Sequence, residues 1–348
     1  MAVLDAILIP SLTAADLLGL ELHFMERVAS RAANPVMLVY ALAGRAISIG
    51  RHHLYDGPAE CDGITLTRRL TGGRIVGAGE GWIGVALILP HLTALLPERD
   101  ARIKPDQVIN RYARGLLAAL DALKLKCFYP GRDAVTLDRR ELAMCSFETD
   151  SNGALLFEAS LALSRGMHDL VLDLEHADPD GRLACAMYDS ENSTTLAREL
   201  NREPGFSEIA DALMAGYRAQ HGAIDARDLT ADETKRGRDR GATLMESGWL
   251  QRRLGSEFKL ASRMTAQLGA IETRIALRDN QTIDHLMLAG DFIANSPGLT
   301  ALDRELRGAC LDFPTMSRAV VKTFAGRDNY FLGIGDLSNL VQLIVKAA

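Results

Sequence analysis

Cysteine pairs are missing from this 348-residue chain. Its five cysteines, Cys61, Cys127, Cys145, Cys185 and Cys310, are scattered, and no CxxC occurs. An odd, dispersed set suits a reducing cytosol better than a disulfide framework, so a cytoplasmic location is expected. The eight histidines lack metal-ligand spacing. His52 and His53 are adjacent, and adjacent side chains share neither a helix face nor a strand face. No metal site is therefore expected. Long apolar runs are also missing. Val85 to Leu89 falls far short of the ~20 residues that cross a bilayer, and no signal peptide is read at the start, so no membrane partner is expected. Positive charge is in deficit, with a net charge of −6. That argues against bulk affinity for nucleic acid, while a local basic site stays open. Repeats and low-complexity tracts do not occur. What is present is 48% hydrophobic and 24% charged residues, the balance of a soluble globular protein with a full core. The length suggests two domains.

The most informative stretch is Thr67-Arg68-Arg69-Leu70-Thr71-Gly72-Gly73-Arg74-Ile75-Val76. Ile64 to Thr67 reads as a β-strand, rich in branched residues and free of breakers. Two arginines, a hydroxyl residue and two glycines follow. Such a turn gathers N–H groups and guanidinium forks at one point. Glycine lets a ligand approach the backbone, and arginine suits bidentate contact with phosphate or carboxylate. A surface hairpin with solvated arginines is the plainer alternative.

Hydrophobic periodicity predicts a first helix over Ser11–Arg31, with Leu18, Leu22, Met25 and Ala29 on one face and Ser11 or Thr13 as cap. Strands follow at Val36–Tyr40 and Ala46–Ile49, then a strand, Gly-rich turn and strand from Ile64 to Leu89. Pro105 starts a second helix with Val108, Tyr112, Leu116, Leu120 and Leu123 inward. Three strands lie within Val135–Leu163, and helices return at Thr195–Leu200 and Ser207–Tyr217. Asp225 to Glu246 is charge-rich and reads as a linker, partly helical at most. Ile271 to Leu277 alternates, Asp279-Asn280 turns the chain, and Ile283 to Leu288 returns. Hairpins with interspersed helices imply an α+β fold with a mixed, largely antiparallel sheet flanked by helices, not a doubly wound parallel sheet. The expected domains are 1–246 and 247–348, the second a small α/β unit.

In order and spacing, several segments resemble the lipoate–protein ligase A family of the biotin/lipoate ligase superfamily. Ile49-Gly50-Arg51 resembles its "IGR" strand end, and Arg68 to Val76 its "RRxSGGGxV" loop. Gly131-Arg132-Asp133 to Ala143 resembles its "GRNDLxVxGxKISGxA" lysine segment, and Gly153 to Leu161 its "HHGTLLL" strand. Ile275 to Asn280, Ala289 to Phe292 and Leu302 to Gly308 resemble the accessory domain of long family members. The resemblance implies that lipoate or octanoate reacts with ATP, with or without Mg, and that the acyl-adenylate then acylates a lysine of a lipoyl carrier domain. It places Arg68, Arg69, Thr71, Gly72, Gly73, Arg74, Val76, Asp133 and Ser160 at the acyl ligand.

The departures concern polar chemistry. Glu141 stands where the family has its catalytic lysine, Arg74 where a third glycine belongs, Ala78-Gly79 where "HD" belongs, and Phe157-Glu158-Ala159 in place of "HHG". At ~4 Å and an effective dielectric of about 20 a charge pair is worth about 4 kcal/mol, so reversing a sign costs up to roughly 8 kcal/mol. Arg74, Arg139 or Arg140 can replace the missing cation, Glu141 can be neutral if buried, or it can simply pair with an arginine. Lys126-Cys127-Phe128 also resembles a cysteine loop of octanoyl transferases, with Lys124, Lys126 or Arg132 as possible activators of a thiolate. A buried, inert thiol is the alternative. Three functions stay open: a ligase, a non-catalytic acyl- or adenylate-binding protein, and a cysteine acyltransferase using Cys127.

Overall fold

The computed structural model describes residues 3–96, 103–170, 192–246, 248–279 and 281–347. Cys185, Ser247 and Asn280 lie outside them. The first strand, β1 (Leu4–Leu12), is a nearly continuous apolar run that the sequence reading passed over. It pairs in parallel with β2 (Val36–Leu42), and the register shifts between Ile9 and Leu12. Pro10 lies in that interval and has no N–H for the ladder. Helix α1 (Ala14–Ala29) starts at Thr13, whose hydroxyl accepts the Asp16 N–H at 3.0 Å. It buries Ala14, Leu17, Leu18, Glu21, Phe24, Met25 and Val28, a stripe of period 3.6.

Next come β3 (Arg45–Ile49), β4 (Glu60–Cys61), β5 (Ile64–Arg68), β6 (Val76–Gly79) and β7 (Trp82–Leu89). Pro105 opens a short 3-10 turn that runs into α2 (Val108–Ala122), which buries Val108, Tyr112, Leu116 and Leu120. Strands β8 (Ala134–Leu137), β9 (Arg140–Thr149) and β10 (Leu155–Ala162) form consecutive hairpins, followed by α3 (Leu196–Leu200), α4 (Phe206–His221) and β11 (Ile224–Ala226). The main sheet runs β11-β1-β2-β7-β10-β9-β8. Its two outer pairings through β1 are parallel and the rest antiparallel. A second sheet, β4-β5-β3-β6, stands beside it. The fold is thus α+β, with a mostly antiparallel sheet flanked by helices.

The charge-rich segment corrects the sequence reading. It is a full helix, α5 (Ala231–Glu246), packed against α1. A Cβ on Gly19 would lie 1.8 Å from the Gly237 carbonyl oxygen, and one on Gly241 would lie 2.2 Å from that of Ala15. The small residues bring the two backbones together, so the charges sit on the outer face of a packed helix.

The rest of the chain carries β12 (Leu260–Thr265), β13 (Ala270–Leu277), β14 (Ile283–Gly290), β15 (Ile293–Ala294), α6 (Ser296–Leu306), α7 (Phe313–Phe324), β16 (Phe331–Leu332) and α8 (Leu337–Val345). These build their own apolar core from Ile271, Leu288, Leu302, Val320 and Leu343 among others, apart from the two cores that cover the faces of the main sheet. Among the described residues, no helix is long and apolar enough to cross a membrane.

Candidate functional site

The pleat of the main sheet places Tyr40, Gly84, Ser160 and Met144 side by side on neighbouring strands, and Ala86, Glu158 and Ser146 one rung away. Gly84 leaves room where a Cβ would strike the Tyr40 ring at 2.1 Å. Above this rung stand α1 and the second sheet. Between them lies a pocket with about 770 Å³ of atom-free space, its mouth included. Leu17, Leu18, Leu42, Val76 and Ala78 supply apolar wall; Glu21, Ser48, Arg69, Arg74, Asp133, Glu158 and Ser160 supply polar wall.

The arginine–glycine turn divides its work. Arg68 is buried and faces away from the pocket. Its Nη1 donates to the carbonyls of Gly50, Arg51 and His53, while Nε and Nη2 donate to those of Trp249 and Leu250. Arg69 faces the pocket and holds its loop closed, donating to the carbonyls of Ser48, Gly72 and Arg74 and to the Thr71 hydroxyl. Thr71 in turn donates to Glu158. Gly72 accepts from the Ser146 hydroxyl at 2.8 Å, and a Cβ on it would lie 2.5 Å from the Phe292 carbonyl. Glycine is therefore required at position 72 by the approach of the C-terminal core. Gly73 has φ +88 and lines the pocket.

Arg74 is the centre of the charged wall. Its Nε and Nη2 donate to Asp133 at 2.8 and 3.0 Å, and Nη2 and Nη1 donate to Glu141 at 2.9 and 3.3 Å. Burial opposes the Arg74 charge, but the two carboxylates outweigh it and hold the guanidinium protonated well above its usual range. Glu141 also lies 2.9 Å from His168 Nε2. Burial would raise the Glu141 carboxyl, yet His168 and Arg74 prevail and bring it down to about 2. Glu141 is an ionised partner of Arg74, not a neutral acid.

The other candidates for the missing cation lie elsewhere. Arg139 is exposed on the two-residue β8–β9 turn with φ +68. Arg140 pairs with Glu199 at 2.9 Å. Cys127 is half-buried and does not line the pocket. Burial pushes its thiol up to about 12, with the charges of Glu199 and Asp138 adding to the effect. Lys126, an expected activator, is exposed and bound to Asp121. The charges that act on Cys127 are acidic, in keeping with the alternative of an inert thiol.

The pocket also contains groups the sequence reading missed. Glu21 is fully buried and faces Glu158. Burial, then the Glu158 charge, drives the Glu21 carboxyl well above its ordinary value. Glu158 itself is raised by burial, with Arg69 and Thr71 working against that. Glu21 was legible as a position three residues after Leu18 and three before Phe24, on the buried stripe of α1. Trp82 was not missed: its place after Gly81 suggests either a pocket cover or plain packing, and it lines the pocket, its buried indole N–H having no hydrogen-bond partner among the described residues. Ser48, Thr67 and Ser146 gave no local signal, since their roles depend on sheet register. Among the described residues no group of three or more His, Cys, Asp or Glu side chains converges to hold a metal ion.

Comparison with known proteins places the fold and the sequence. Among solved structures, lipoate-bound LipL1 of P. falciparum aligns over 99% of both chains, with a TM-score of 0.67 and 13% identity. Lipoate-protein ligase A bound with ATP covers 72% of this chain and 97% of its own, with a TM-score of 0.51 and 15% identity. The lipoate protein ligase of Thermoplasma acidophilum, from a bipartite system with an E2 lipoyl domain, covers 72% of this chain and 99% of its own, with a TM-score of 0.53 and 15% identity. At such identities the likeness establishes the fold. A search of curated proteins gives no match. The family model for the lipoyl protein ligase A/B catalytic domain matches residues 13–218, more than half of the chain. The chain belongs to the lipoyl protein ligase A/B catalytic domain family.

Proposed function

We propose that the pocket between the two sheets binds lipoate or octanoate, or its adenylate, for ATP-dependent transfer to a lysine of a lipoyl carrier domain. The observation that carries this reading is the shape and lining of that pocket. An apolar wall from Leu17, Leu18, Leu42 and Val76 meets the guanidinium groups of Arg69 and Arg74. Solved relatives of the same fold hold lipoate or ATP, which is consistent with both ligands here. Adenylation builds negative charge around the mixed anhydride, and a preorganised cation stabilises it. Among the described residues Arg69 and Arg74 are the cations lining this pocket; Arg69 is committed to its own loop, and the cation for this role is Arg74. It acts through the one Nη1–H that Glu141 leaves, and through its charge.

That charge is opposed by two carboxylates, and this favours a second reading. Asp133 and Glu141 both compete with a ligand for the Arg74 guanidinium, a poor setting for an anionic transition state. A protein that retains the acyl or adenylate ligand with slow or no turnover fits this arrangement. Pyrophosphate release with lipoate or octanoate decides between the two, with lipoyl-AMP binding measured alongside by calorimetry. Binding with turnover supports a ligase and binding without turnover supports the second reading. Absence of binding by lipoate, octanoate and lipoyl-AMP would overturn both.

A further inference from the structure

A second concentration of charge lies on the far side of the arginine–glycine turn. There Arg51, Arg68 and Arg252 line one cleft, together with His52, Trp249, Gln251, Ser296, Leu299 and Thr300. None of the three arginines pairs with a carboxylate among the described residues. Arg68 is spent on carbonyl oxygens. Arg51 gives one N–H to the Leu70 carbonyl at 3.1 Å and lays its guanidinium 5.0 Å from the Trp249 ring centre. Arg252 gives one N–H to the His52 carbonyl at 2.7 Å. Both Arg51 and Arg252 line the cleft, and no further hydrogen-bond partner of either side chain is found among the described residues.

Three like charges in one partly dry cleft repel each other and lose hydration. Burial first, and then the charges of Arg252 and Arg51, lower the Arg68 guanidinium to about 9. Burial and Arg51 lower Arg252 to about 10, with Glu272 opposing. Glu272 is committed to Arg274 at 3.0 Å. Glu148, the other carboxylate that senses Arg51, is itself held up near 7 by burial. Among the described residues, cations are thus supplied here without a paired carboxylate.

We propose that this cleft is an oxyanion site that takes the phosphoryl group of a small phosphorylated molecule. Arg51 and Arg252 present guanidinium forks to the oxygens, and Arg68 fixes a positive charge beneath them. The choice of a phosphoryl group follows from the charge. Three cations call for more than one negative charge, and a phosphate monoester carries about −1.5 to −2 at neutral pH where a carboxylate carries one. Planar forks match tetrahedral oxyanions in bidentate contacts. The cleft encloses about 850 Å³ of atom-free space with its mouth, which leaves room beside Leu299 and Trp249 for more than bare phosphate. The site is separate from the inter-sheet pocket and does not depend on the reading of that pocket.

The test is calorimetry with inorganic phosphate, ribose 5-phosphate and acetate on the full chain. Saturable one-site binding of phosphate and ribose 5-phosphate is expected, and none by acetate. Arg252→Gln and Arg51→Gln should each weaken phosphate at least tenfold, Arg252→Lys less, and octanoate binding should not change. Tighter binding of ribose 5-phosphate identifies a phosphorylated small molecule as the source, and equal affinity identifies free phosphate; either keeps the oxyanion site. No saturable phosphate binding, or unchanged affinity in folded variants, overturns it. If the variants do not fold, the native protein decides. Its melting temperature should rise more with phosphate than with chloride at equal ionic strength, and equal shifts overturn the proposal.

Discussion

The resemblance sets Glu141 at the position of a family lysine and Arg74, in a different motif, at that of a third glycine. The two departures are linked, because each side chain is the other's partner. Replacing Glu141 alone therefore changes two things. Glu141→Lys adds a cation and leaves Arg74 paired with Asp133, so the cluster gains positive charge. Pyrophosphate release with octanoate is expected to rise at least tenfold over the native protein. Equal turnover by both would mean that Arg74 already suffices. The Glu141 carboxyl has an ordinary value of 4.5 and lies near 2 when folded. A depressed carboxyl contributes stability above its unfolded value, and that stability is lost as pH falls through the folded value. Glu141→Gln should therefore lose stability at pH 6 and reduce the acid sensitivity between pH 4.5 and 2, read by chemical denaturation across that range. Arg69→Ala removes charge-assisted bonds to three carbonyls and one hydroxyl, each worth about 1.5–3 kcal/mol and not additive. It should cost about 3 kcal/mol of stability and weaken lipoyl-AMP at least tenfold. A folded variant with native affinity would remove Arg69 from the site.

Among the elements, β9 meets the N-terminus of α6 through one buried acid. Glu148 accepts the Ser296 N–H at 2.8 Å, while its other carboxylate oxygen has no hydrogen-bond partner among the described residues. Burial is the largest influence and lifts this carboxyl to about 7, against Arg51 and Ser296. A raised carboxyl contributes stability that is complete below its unfolded value of 4.5 and is lost as pH rises through 7. Glu148→Gln keeps the acceptor and removes the titration. It should be near neutral at pH 4.5 and stabilise by about 1–3 kcal/mol at pH 8, a reading on the scale of 1.36 kcal/mol per pK unit. An equal effect at both pH values would disprove the burial argument. The same scale shows what periodicity could and could not reveal. Helices α1 and α2 and the β13–β14 hairpin were legible because each has one apolar face. Helix α5 was hidden because its packing face is made of glycine, which has no hydrophobic signature, while its charges dominate the composition. The arginine–glycine turn was legible as a special backbone. That Arg68 turns outward and Arg69 inward depends on contacts with residues about 180 positions away for Arg68, and local spacing does not encode them.

Across the whole molecule, Arg68 ties residues 249–250, which pack into the cores of the main sheet, to the arginine–glycine turn. Its guanidinium gathers carbonyls from 50–53 on one side and from 249–250 on the other, and the Trp249 indole N–H returns a bond to the Arg68 carbonyl at 2.7 Å. Further ties run from Gly73 N–H to the Phe292 carbonyl and between His52 and the Ala294 carbonyl. We propose that the chain divides into two units joined through residues 248–259, and that the packed helix α5 belongs to the first. Arg253 and Lys259 stand on that exposed stretch, whereas Lys235 to Arg240 lie on α5. Limited trypsin should therefore cut first at Arg253 or Lys259, and the two fragments should still elute together. First cleavage within α5 would contradict this division. Arg68→Ala removes the guanidinium that holds the start of the connector and leaves several carbonyls without a donor. Because both halves keep their own cores, the loss should fall on their docking, with little effect on either core. The expected result is a single calorimetric transition in the native protein that separates into two in the variant, the lower one falling by at least about 5 °C. One undivided transition at the native temperature would show that the backbone and histidine contacts hold the halves together without Arg68.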